Sequence, residues 1–284
     1  MEMKRISVVI PAKNEESTVS SIVRQALARE EVLEVIVIDD GSSDATAVNA
    51  SSAGANVIKH ARSLGNGAAI KRGAREAKGE LLVFMDADGQ HSISDIEKLQ
   101  SALVGYDMAV GARDSSGQAS IWRHGANYIY NRFASFVTGH QVNDLTSGFR
   151  IVKRAKFNEF LSLLPNGFSY PTTSTMAFFR NGYPVNYVPI DVKKRVGKSH
   201  IKPLKDGVRF LVIIFKVATL YSPLKVFMPI AIFLFLLGLA RYVYTYIEMG
   251  TFTNMSALLM VSGLQVFLVG LVSEQITSLM YKEK

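Results

Sequence analysis

The first third of the chain alternates short apolar runs with longer segments in which apolar residues recur at helical spacing. The apolar runs cover residues 6–10, 35–38 and 81–85, and the helix-like segments cover residues 15–28, 44–53 and 68–77. Strands that are buried on both faces read as continuous apolar, β-branched runs. The alternation therefore predicts βαβ units and an α/β domain built on an open, mostly parallel, Rossmann-like sheet.

The most polar stretches of this region follow directly after the predicted strands. They read Pro11-Ala12-Lys13-Asn14-Glu15, Asp39-Asp40-Gly41-Ser42-Ser43-Asp44 and Asp86-Ala87-Asp88-Gly89-Gln90. In an open parallel sheet, ligands bind at the carboxyl ends of the strands, where such loops meet. We therefore expect one site there, in which Asp39 and Asp40 accept hydrogen bonds from a base or a ribose. Asp44 is equally well placed to cap the helix that follows it.

Three oxygen-bearing side chains of the third loop, Asp86, Asp88 and Gln90, are spaced two residues apart. Alternate residues of an extended segment point the same way, so the two carboxylates and the amide can converge on one ion. Hard oxygen ligands suit Mg²⁺ or Mn²⁺. An ordinary acidic turn is the alternative, because aspartate is common in turns. The position directly after an apolar strand favours the metal site.

A longer amphipathic helix is predicted over residues 120–138. Its polar face carries Arg123, Asn127 and Asn131. Its apolar face, with Ile129, Phe136 and Val137, either packs on the core or lies in a bilayer interface, and we expect core packing. A second amphipathic segment, residues 204–219, leads into the strongly apolar last part of the chain.

Two segments of this last part, residues 226–247 and 256–280, are each long and apolar enough to cross a hydrocarbon core of about 30 Å. A buried helical hairpin is the alternative. The basic residues that flank the two segments are Lys216, Lys225, Lys282 and Lys284. The connector 248–254 contains no Lys or Arg, so the positive-inside rule predicts a multi-pass membrane protein with both ends in the cytoplasm. In a prokaryote the membrane would be the plasma membrane.

We therefore divide the chain into a cytoplasmic domain over residues 1–203, an interfacial helix over 204–222 and a membrane domain over 223–284. The chain has no cysteine, which excludes disulfides and thiolate metal sites. Its net charge of +8 suits anionic membranes and phosphorylated ligands. The basic run of residues 193–205 lacks interleaved aromatic residues and precedes the apolar part, so we expect lipid head groups rather than nucleic acid as its partner.

Five segments between residues 5 and 152 resemble the family-2 glycosyltransferases of the dolichol-phosphate-mannose synthase and polyprenyl-phosphate glycosyltransferase type. They are Val8-Val9-Ile10-Pro11-Ala12-Lys13-Asn14-Glu15-Glu16, Asp39-Asp40-Gly41-Ser42-Ser43-Asp44, Gly65-Asn66-Gly67, Asp86-Ala87-Asp88-Gly89-Gln90-His91 and Asp144-Leu145-Thr146-Ser147-Gly148-Phe149-Arg150. Their order and spacing make the match specific. The resemblance implies a GT-A fold for the first domain.

The resemblance also implies roles for individual residues. The nucleotide pocket would be lined by Pro11, Asn14, Glu15, Asp39, Asp40, Asp86 and Ala87. The metal that bridges the donor phosphates would be Mg²⁺ or Mn²⁺, held by Asp86, Asp88 and Gln90. The catalytic residues on the acceptor side would be Asp144, Arg150, Arg113 and Arg195. Asp144 would orient or deprotonate the acceptor, and the arginines would grip its phosphate, since a guanidinium binds phosphate oxygens in pairs.

The predicted function is an inverting transfer of one sugar from a UDP- or GDP-sugar to undecaprenyl or dolichyl phosphate, for cell-envelope glycan or protein glycosylation. The Gln-any-any-Arg-Trp motif of processive relatives is absent, which favours a single transfer. Two alternatives stay open: a different lipid or a glycan as acceptor, and a non-catalytic membrane scaffold that binds nucleotide sugars. The sequence leaves the sugar, the base and the oligomeric state open, and a homo-oligomer is compatible with it.

Overall fold

The computed structural model of the chain describes residues 5–113, 121–167, 170–192, 215–216 and 218–282, with the backbone alone for residues 121–124, 126–127 and 281–282. The chain divides into two compact units. The first comprises Met1–Phe133 and His140–Lys202, and the second comprises Ala134–Gly139 and Pro203–Lys284.

The first unit is a seven-stranded sheet flanked by helices. Its strands β1 to β7 are Ile6–Ala12, Val32–Asp39, Asn56–Lys59, Leu81–Phe84, Met108–Arg113, Arg150–Lys153 and Val185–Ile190. The helices α1 to α7 are Val19–Leu27, Thr46–Ser52, Asn66–Glu76, Asp95–Ala102, Ile121–Thr138, Arg154–Asn158 and Tyr170–Arg180. The strand order is β3-β2-β1-β4-β6-β5-β7, and β6 is antiparallel to both of its neighbours while the other pairs are parallel. The predicted mostly parallel α/β sheet is confirmed.

The core of this unit lies at the centre of the sheet. The three predicted strands became β1, β2 and β4, and the side chains of β4 are all buried. Helix α3 approaches β1 so closely that a Cβ on Gly73 would lie 2.3 Å from Val9 Cγ1. The short strand β3 has exposed ends, and β6 opens with an arginine, so neither has the apolar pattern that predicts a buried strand.

The strand directions bring several segments to one edge of the sheet. Because β5 and β4 are both antiparallel to β6, they run parallel to each other and end on the same side. Arg150, the first residue of β6, lies opposite Phe84 in β4 and Val110 in β5. The loop after β4, the end of β5 and the turn before β6 therefore meet at the carboxyl edge.

Helix α5 confirms the predicted helix over residues 120–138 but not all of its predicted packing. Val137 is fully buried, and Tyr130 and Ala134 are only 3% and 2% exposed. Ile129 and Phe136, which we expected to pack on the core, are instead 68% and 60% exposed. The side chains of Arg123 and Asn127 lie outside the described residues.

The second unit contains two long apolar helices, α8 over Pro223–Met249 and α9 over Asn254–Lys282, which form a hairpin. Both are long and apolar enough to cross a membrane. Only 11% of the most apolar stretch of α8 and 17% of that of α9 are buried, whereas the core helix of a soluble protein is mostly buried. The helices touch closely, since a Cβ on Gly263 would lie 2.8 Å from the carbonyl oxygen of Ala231. The backbone N–H of Leu224 donates to the Glu274 carboxylate at 3.2 Å. Residues 215–216 and 218–221 are helical, and the rest of the predicted segment 204–219 lies outside the described residues.

Candidate active site

The loops after β1 and β2 are fastened to each other through Asn14. Its backbone adopts the left-handed conformation with φ at 56°, and among the described non-glycine residues it alone has a positive φ. The Asn14 N–H donates to Ser42 Oγ at 3.0 Å, and its Oδ1 accepts from the Ser43 N–H at 2.9 Å. Next to it, the Glu15 N–H donates to Thr46 Oγ1 at 2.8 Å. Strained backbone of this kind is typical of functional loops.

Asp40, at the end of β2, uses its carboxylate to hold the loop that follows β3. Its partners are His60 Nδ1 at 2.7 Å, Ser63 Oγ at 2.7 Å, and the backbone N–H groups of Leu64 and Gly65 at 2.8 and 2.9 Å. Burial would raise the pKa of Asp40, but these hydrogen bonds outweigh burial and lower it to about 2. A carboxylate with this many internal donors has little capacity left for a ligand.

Asp39 differs from its neighbour because one of its oxygens accepts no hydrogen bond from the described residues. The side chain is buried, and Oδ1 accepts from the Ser42 N–H at 2.9 Å. Among the described residues, no hydrogen-bond partner reaches Asp39 Oδ2, and Lys59 Nζ lies 3.9 Å from it. A buried acceptor without a partner costs free energy, so Asp39 is the better candidate of the two for a hydrogen bond from a ligand.

The glycine-rich start of α3, residues 65–67, is shaped by contact with residues 165–167. The Gly67 N–H donates to the Gly167 carbonyl oxygen at 3.1 Å. A Cβ on Gly67 would lie 2.0 Å from the carbonyl oxygen of Pro165, which is an impossible separation. These glycines are therefore explained by close approach of another backbone segment.

The Asp86-Ala87-Asp88 segment leaves the end of β4 beside the turn that precedes β6. Thr18 Oγ1 donates to the Ala87 carbonyl oxygen at 2.6 Å, and the Gln90 N–H donates to Asp88 Oδ1 at 3.1 Å. Gly148 allows this turn to approach, since a Cβ there would lie 3.1 Å from Asp86 Oδ2. Asp86, Asp88 and Gln90 thus belong to one loop at the carboxyl edge of the sheet.

This segment fits a metal that takes part of its coordination from a ligand. No group of three or more His, Cys, Asp or Glu side chains that could hold a metal ion occurs within the described ranges. Mg²⁺ is commonly bound by one or two carboxylates together with substrate phosphates, whereas an all-protein cage needs more ligands. Asp86 and Asp88 would supply the two carboxylates of such a site.

Arg113, the last residue of β5, forms a two-point ion pair with Asp144. Its Nε lies 2.7 Å from Asp144 Oδ2, and its Nη2 lies 2.9 Å from Oδ1. Asp144 also accepts from the N–H groups of Thr146 and Ser147, each at 3.1 Å. Burial would raise the pKa of Asp144, but Arg113 outweighs it and lowers that pKa. A stabilised carboxylate is a weak base, which favours an orienting role over deprotonation.

Arg150 lies beneath the same turn and does not reach the surface. Its side chain is 0% exposed. Its Nη1 donates to the Pro171 carbonyl oxygen at 2.9 Å, to Ser174 Oγ at 2.9 Å and to Thr175 Oγ1 at 3.1 Å, and its Nη2 donates to the Ser147 carbonyl oxygen. The predicted grip on an acceptor phosphate does not fit this burial. Arg150 instead ties the turn to the first turn of α7.

Comparison with known proteins identifies the family. Residues 7–161 match the family model described as glycosyl transferase family 2, and residues 222–279 match the GtrB C-terminal hairpin. The chain belongs to glycosyl transferase family 2. Its predicted family and its predicted enzyme class, glycosyltransferase, are thereby confirmed.

Relatives within this family match most of the chain. It is 27% identical over 290 residues to the glycosyltransferase AglJ of Haloferax volcanii, covering 96% of this chain and 94% of that protein. It is 28% identical over 293 residues to the undecaprenyl-phosphate 4-deoxy-4-formamido-L-arabinose transferase of Pseudomonas aeruginosa, covering 95% and 84%. The glucosyl-3-phosphoglycerate synthase of Mycobacterium tuberculosis, solved with Mn²⁺ and UDP-glucose, superposes with a TM-score of 0.61 at 22% identity over 76% of this chain and 79% of that one. This likeness confirms the GT-A fold.

One residue of this family-2 site was missed by sequence reasoning although it stands in a quoted segment. His91 stacks on Phe149, with 4.9 Å between ring centroids and 15° between planes. Burial lowers the pKa of His91, and this effect is larger than that of the nearby Asp88 carboxylate, which raises the pKa. His91 therefore packs as a neutral ring between the acidic loop and the turn before β6.

The structure of this glycosyltransferase brings most of the predicted residues to one edge and leaves one unplaced. Pro11 lies in β1 opposite Ile38 of β2, one residue before Asp39. Arg195 lies outside the described residues. His60 and Ser63, which hold Asp40, had no signal in the sequence, because their role depends on loop contacts across 20 and 23 residues.

Proposed function

We propose that this glycosyltransferase transfers a single sugar, with inversion, from a nucleotide sugar to a polyprenyl phosphate at the cytoplasmic face of a membrane. The observation that carries the proposal is the meeting of the Asp86–Asp88 pair with the Arg113–Asp144 ion pair at one sheet edge, in a chain with an apolar hairpin. The name of the Pseudomonas aeruginosa relative, an undecaprenyl-phosphate transferase, supports the acceptor.

The donor side of the proposed site is formed by the loops after β1 and β2. Asp39 offers the acceptor oxygen for a base or ribose, and Pro11, Asn14 and Glu15 form the wall beside it. Asp40 contributes indirectly, because its carboxylate accepts hydrogen bonds from the loop after β3 and holds that loop in place. The nucleotide is a UDP- or a GDP-sugar.

The metal site of the proposal comprises Asp86, Asp88 and Gln90 with Mg²⁺ or Mn²⁺. A divalent ion there would neutralise the charge that develops on the departing nucleoside diphosphate. The Ala87 carbonyl is fixed by Thr18, which holds the loop between the two carboxylates. The Mn²⁺ and UDP-glucose in the Mycobacterium tuberculosis structure support this part of the proposal.

The acceptor side is built on Arg113. Its side chain is 32% exposed while the paired Asp144 side chain is only 7% exposed, so the guanidinium faces solvent with the carboxylate behind it. A polyprenyl phosphate is already anionic near neutral pH and needs orientation more than it needs a base. Arg113 would align that phosphate behind the anomeric carbon, and Arg195 remains the second candidate.

The membrane part of the proposal follows the charge distribution along the chain. Residues 1–203 form the cytoplasmic catalytic domain, residues 204–222 the interfacial segment and residues 223–284 the hairpin, with both ends of the chain in the cytoplasm. The absence of Lys and Arg from the connector 248–254 supports this orientation. The exposed Ile129 and Phe136 of α5 would then contact the head-group region.

The test is a transfer assay on membranes that contain the protein. Labelled UDP- and GDP-sugars are supplied with undecaprenyl or dolichyl phosphate, with diacylglycerol or with a glycan, with and without EDTA. A lipid-linked product that requires a polyprenyl phosphate and is lost with EDTA supports the proposal. Product on diacylglycerol or a glycan would indicate the alternative acceptor, and nucleotide-sugar binding without any product would indicate a scaffold.

The metal assignment is tested with Asp88→Asn, which should abolish transfer without unfolding the protein. Asp107→Asn is the matched control, because Asp107 precedes β5 at the opposite edge and pairs with Lys153 at 2.7 Å. A fully active Asp88→Asn protein would overturn the metal assignment.

A further inference from the structure

Asn131 of helix α5 reaches the turn that carries Asp144. The Asn131 Nδ2 donates to the carbonyl oxygen of Asn143 at 2.5 Å, and its Oδ1 accepts from the N–H of Leu145 at 3.1 Å. One amide therefore holds the peptide groups on both sides of Asp144. A pair of hydrogen bonds from a planar amide restricts both the position and the rotation of the backbone it binds.

The geometry of Asp144 depends on that backbone. The Asp144 carboxylate itself accepts hydrogen bonds from Arg113, Thr146 and Ser147, which lie within the ion pair or within the turn. Asn131 fixes the turn from a separate helix. The direction in which Asp144 presents its carboxylate, and thus the place where Arg113 is held, is set partly from α5.

We propose that Asn131 is a positioning residue, which holds Asp144 and through it Arg113 in register with the acceptor phosphate. This inference rests on the proposed function, since it assigns Arg113 to the acceptor side. A displacement of about 1 Å in a group that orients a reactant can cost about 100-fold in rate. Two hydrogen bonds that flank the orienting residue are placed to prevent such a displacement.

Other contacts of α5 keep the helix in place without Asn131. The neighbouring Tyr130 is 3% exposed, and its OH lies 3.0 Å from Thr172 Oγ1 of α7. Ala134, one turn further on, is 2% exposed. Loss of the Asn131 amide should therefore loosen the turn and leave the helix docked, which separates a positioning role from a merely structural one.

The experiment compares Asn131→Ala and Asn131→Asp with the control Asn186→Ala. Asn186 has the same pattern of bonds elsewhere, since its Nδ2 donates to the Ala102 carbonyl oxygen at 3.0 Å and its Oδ1 accepts from the Tyr187 N–H at 2.9 Å. Asn131→Asp keeps the side-chain volume but replaces the donating NH₂ group with an oxygen, which repels the Asn143 carbonyl oxygen. Transfer kinetics with varied undecaprenyl phosphate, the Kd for UDP and amide hydrogen exchange over residues 140–150 are measured on the full chain.

Both Asn131 variants should lower kcat/KM for the acceptor about 10- to 100-fold, leave the Kd for UDP unchanged and speed amide exchange at residues 145–147. The control should do none of these. Unchanged acceptor kinetics in Asn131→Ala would overturn the proposal, and so would a parallel loss of UDP binding and of the melting temperature. If the wild-type protein transfers sugar to no polyprenyl phosphate, the proposed function fails. The assignment of Asn131 is then tested by hydrogen exchange alone, and unchanged amide exchange at residues 145–147 in the Asn131 variants would overturn it.

Discussion

Arg113 and Asp144 are joined by two parallel hydrogen bonds of 2.7 and 2.9 Å, from the last residue of β5 to a turn 31 residues further along the chain. Burial lowers the pKa of Arg113, but its pairing with Asp144 outweighs burial and raises that pKa. Both groups therefore stay charged over the physiological range. The pair provides a fixed cation that faces the site from a buried anionic support.

Asp144→Asn should destabilise the protein and reduce transfer together. The change removes the carboxylate charge that pairs with Arg113. Because this guanidinium is 32% exposed, the cost is less than that of a fully buried pair, about 2 kcal/mol or a fall in Tm of about 4–8 °C. Thermal unfolding in detergent checks the first effect and acceptor kinetics check the second. An unchanged Tm would show that the ion pair contributes nothing to stability.

The stability of the protein should depend on acid pH through Asp40. Its pKa of about 2 in the folded state lies below the ordinary value of about 3.9, so the unfolded state takes up the proton first as the pH falls. The stabilisation, about 2 kcal/mol, is present above about pH 4 and is lost as the pH falls towards 2. Urea midpoints at pH 5 and pH 3 measure it.

The Asp40→Asn variant is the test of this pH dependence. It should be less stable at pH 5 and should change less between pH 5 and pH 3 than the wild type. Glu97→Gln serves as the control, because it also replaces one carboxylate by an amide, but at a side chain that is 74% exposed. Equal pH dependence in the wild type and in Asp40→Asn would contradict the assignment.

Arg150→Met should lower the stability of the protein, which is a larger effect than any on acceptor binding. Four of the donor contacts of Arg150 go to two carbonyl oxygens and two hydroxyls within the core, and their loss should cost about 2 kcal/mol or more. Arg72→Met, at an arginine whose side chain is 52% exposed, should be close to neutral. Urea unfolding and acceptor KM distinguish the roles. A stable Arg150→Met protein with a raised acceptor KM would restore Arg150 as a phosphate ligand.

Gly67→Ala should prevent normal folding of the first unit. The added Cβ meets the Pro165 carbonyl oxygen, and separation of the two backbones should cost about 3 kcal/mol or more. Gly125→Ala is the matched control, since no atom of the described residues lies within 4 Å of a Cβ there, and in helix α5 it should stabilise by about 0.5–1 kcal/mol. Protein yield and Tm are the measurements, and a Gly67→Ala protein with wild-type Tm would rule out the close contact.

The sequence was sufficient for the parts of the molecule that depend on local pattern. The continuous apolar runs predicted β1, β2 and β4, and the polar residues after them predicted the edge at which the site lies. The two apolar helices were equally clear from length and composition. Each of these features is determined by neighbouring residues along the chain.

The uses of individual side chains could not be predicted in the same way. Asp39 and Asp40 are adjacent and chemically identical, yet one is saturated by a distant loop and the other retains an unused oxygen. Arg150 ends a segment that resembles a family motif, but the oxygens that surround it come mainly from α7. A pattern shows which residue types are present, whereas their roles depend on partners far along the chain.

The place of β5 in the sheet has a consequence for the order of folding. Its two neighbours, β6 and β7, are both synthesised after it, whereas β1 to β4 pair among themselves. During synthesis the half of the sheet formed by β1 to β4 can assemble first, since domains fold as the chain emerges. Strand β5, which ends at Arg113, must wait for residues 150–153 before it has a partner, so the part of the sheet around β5 should be the last to form.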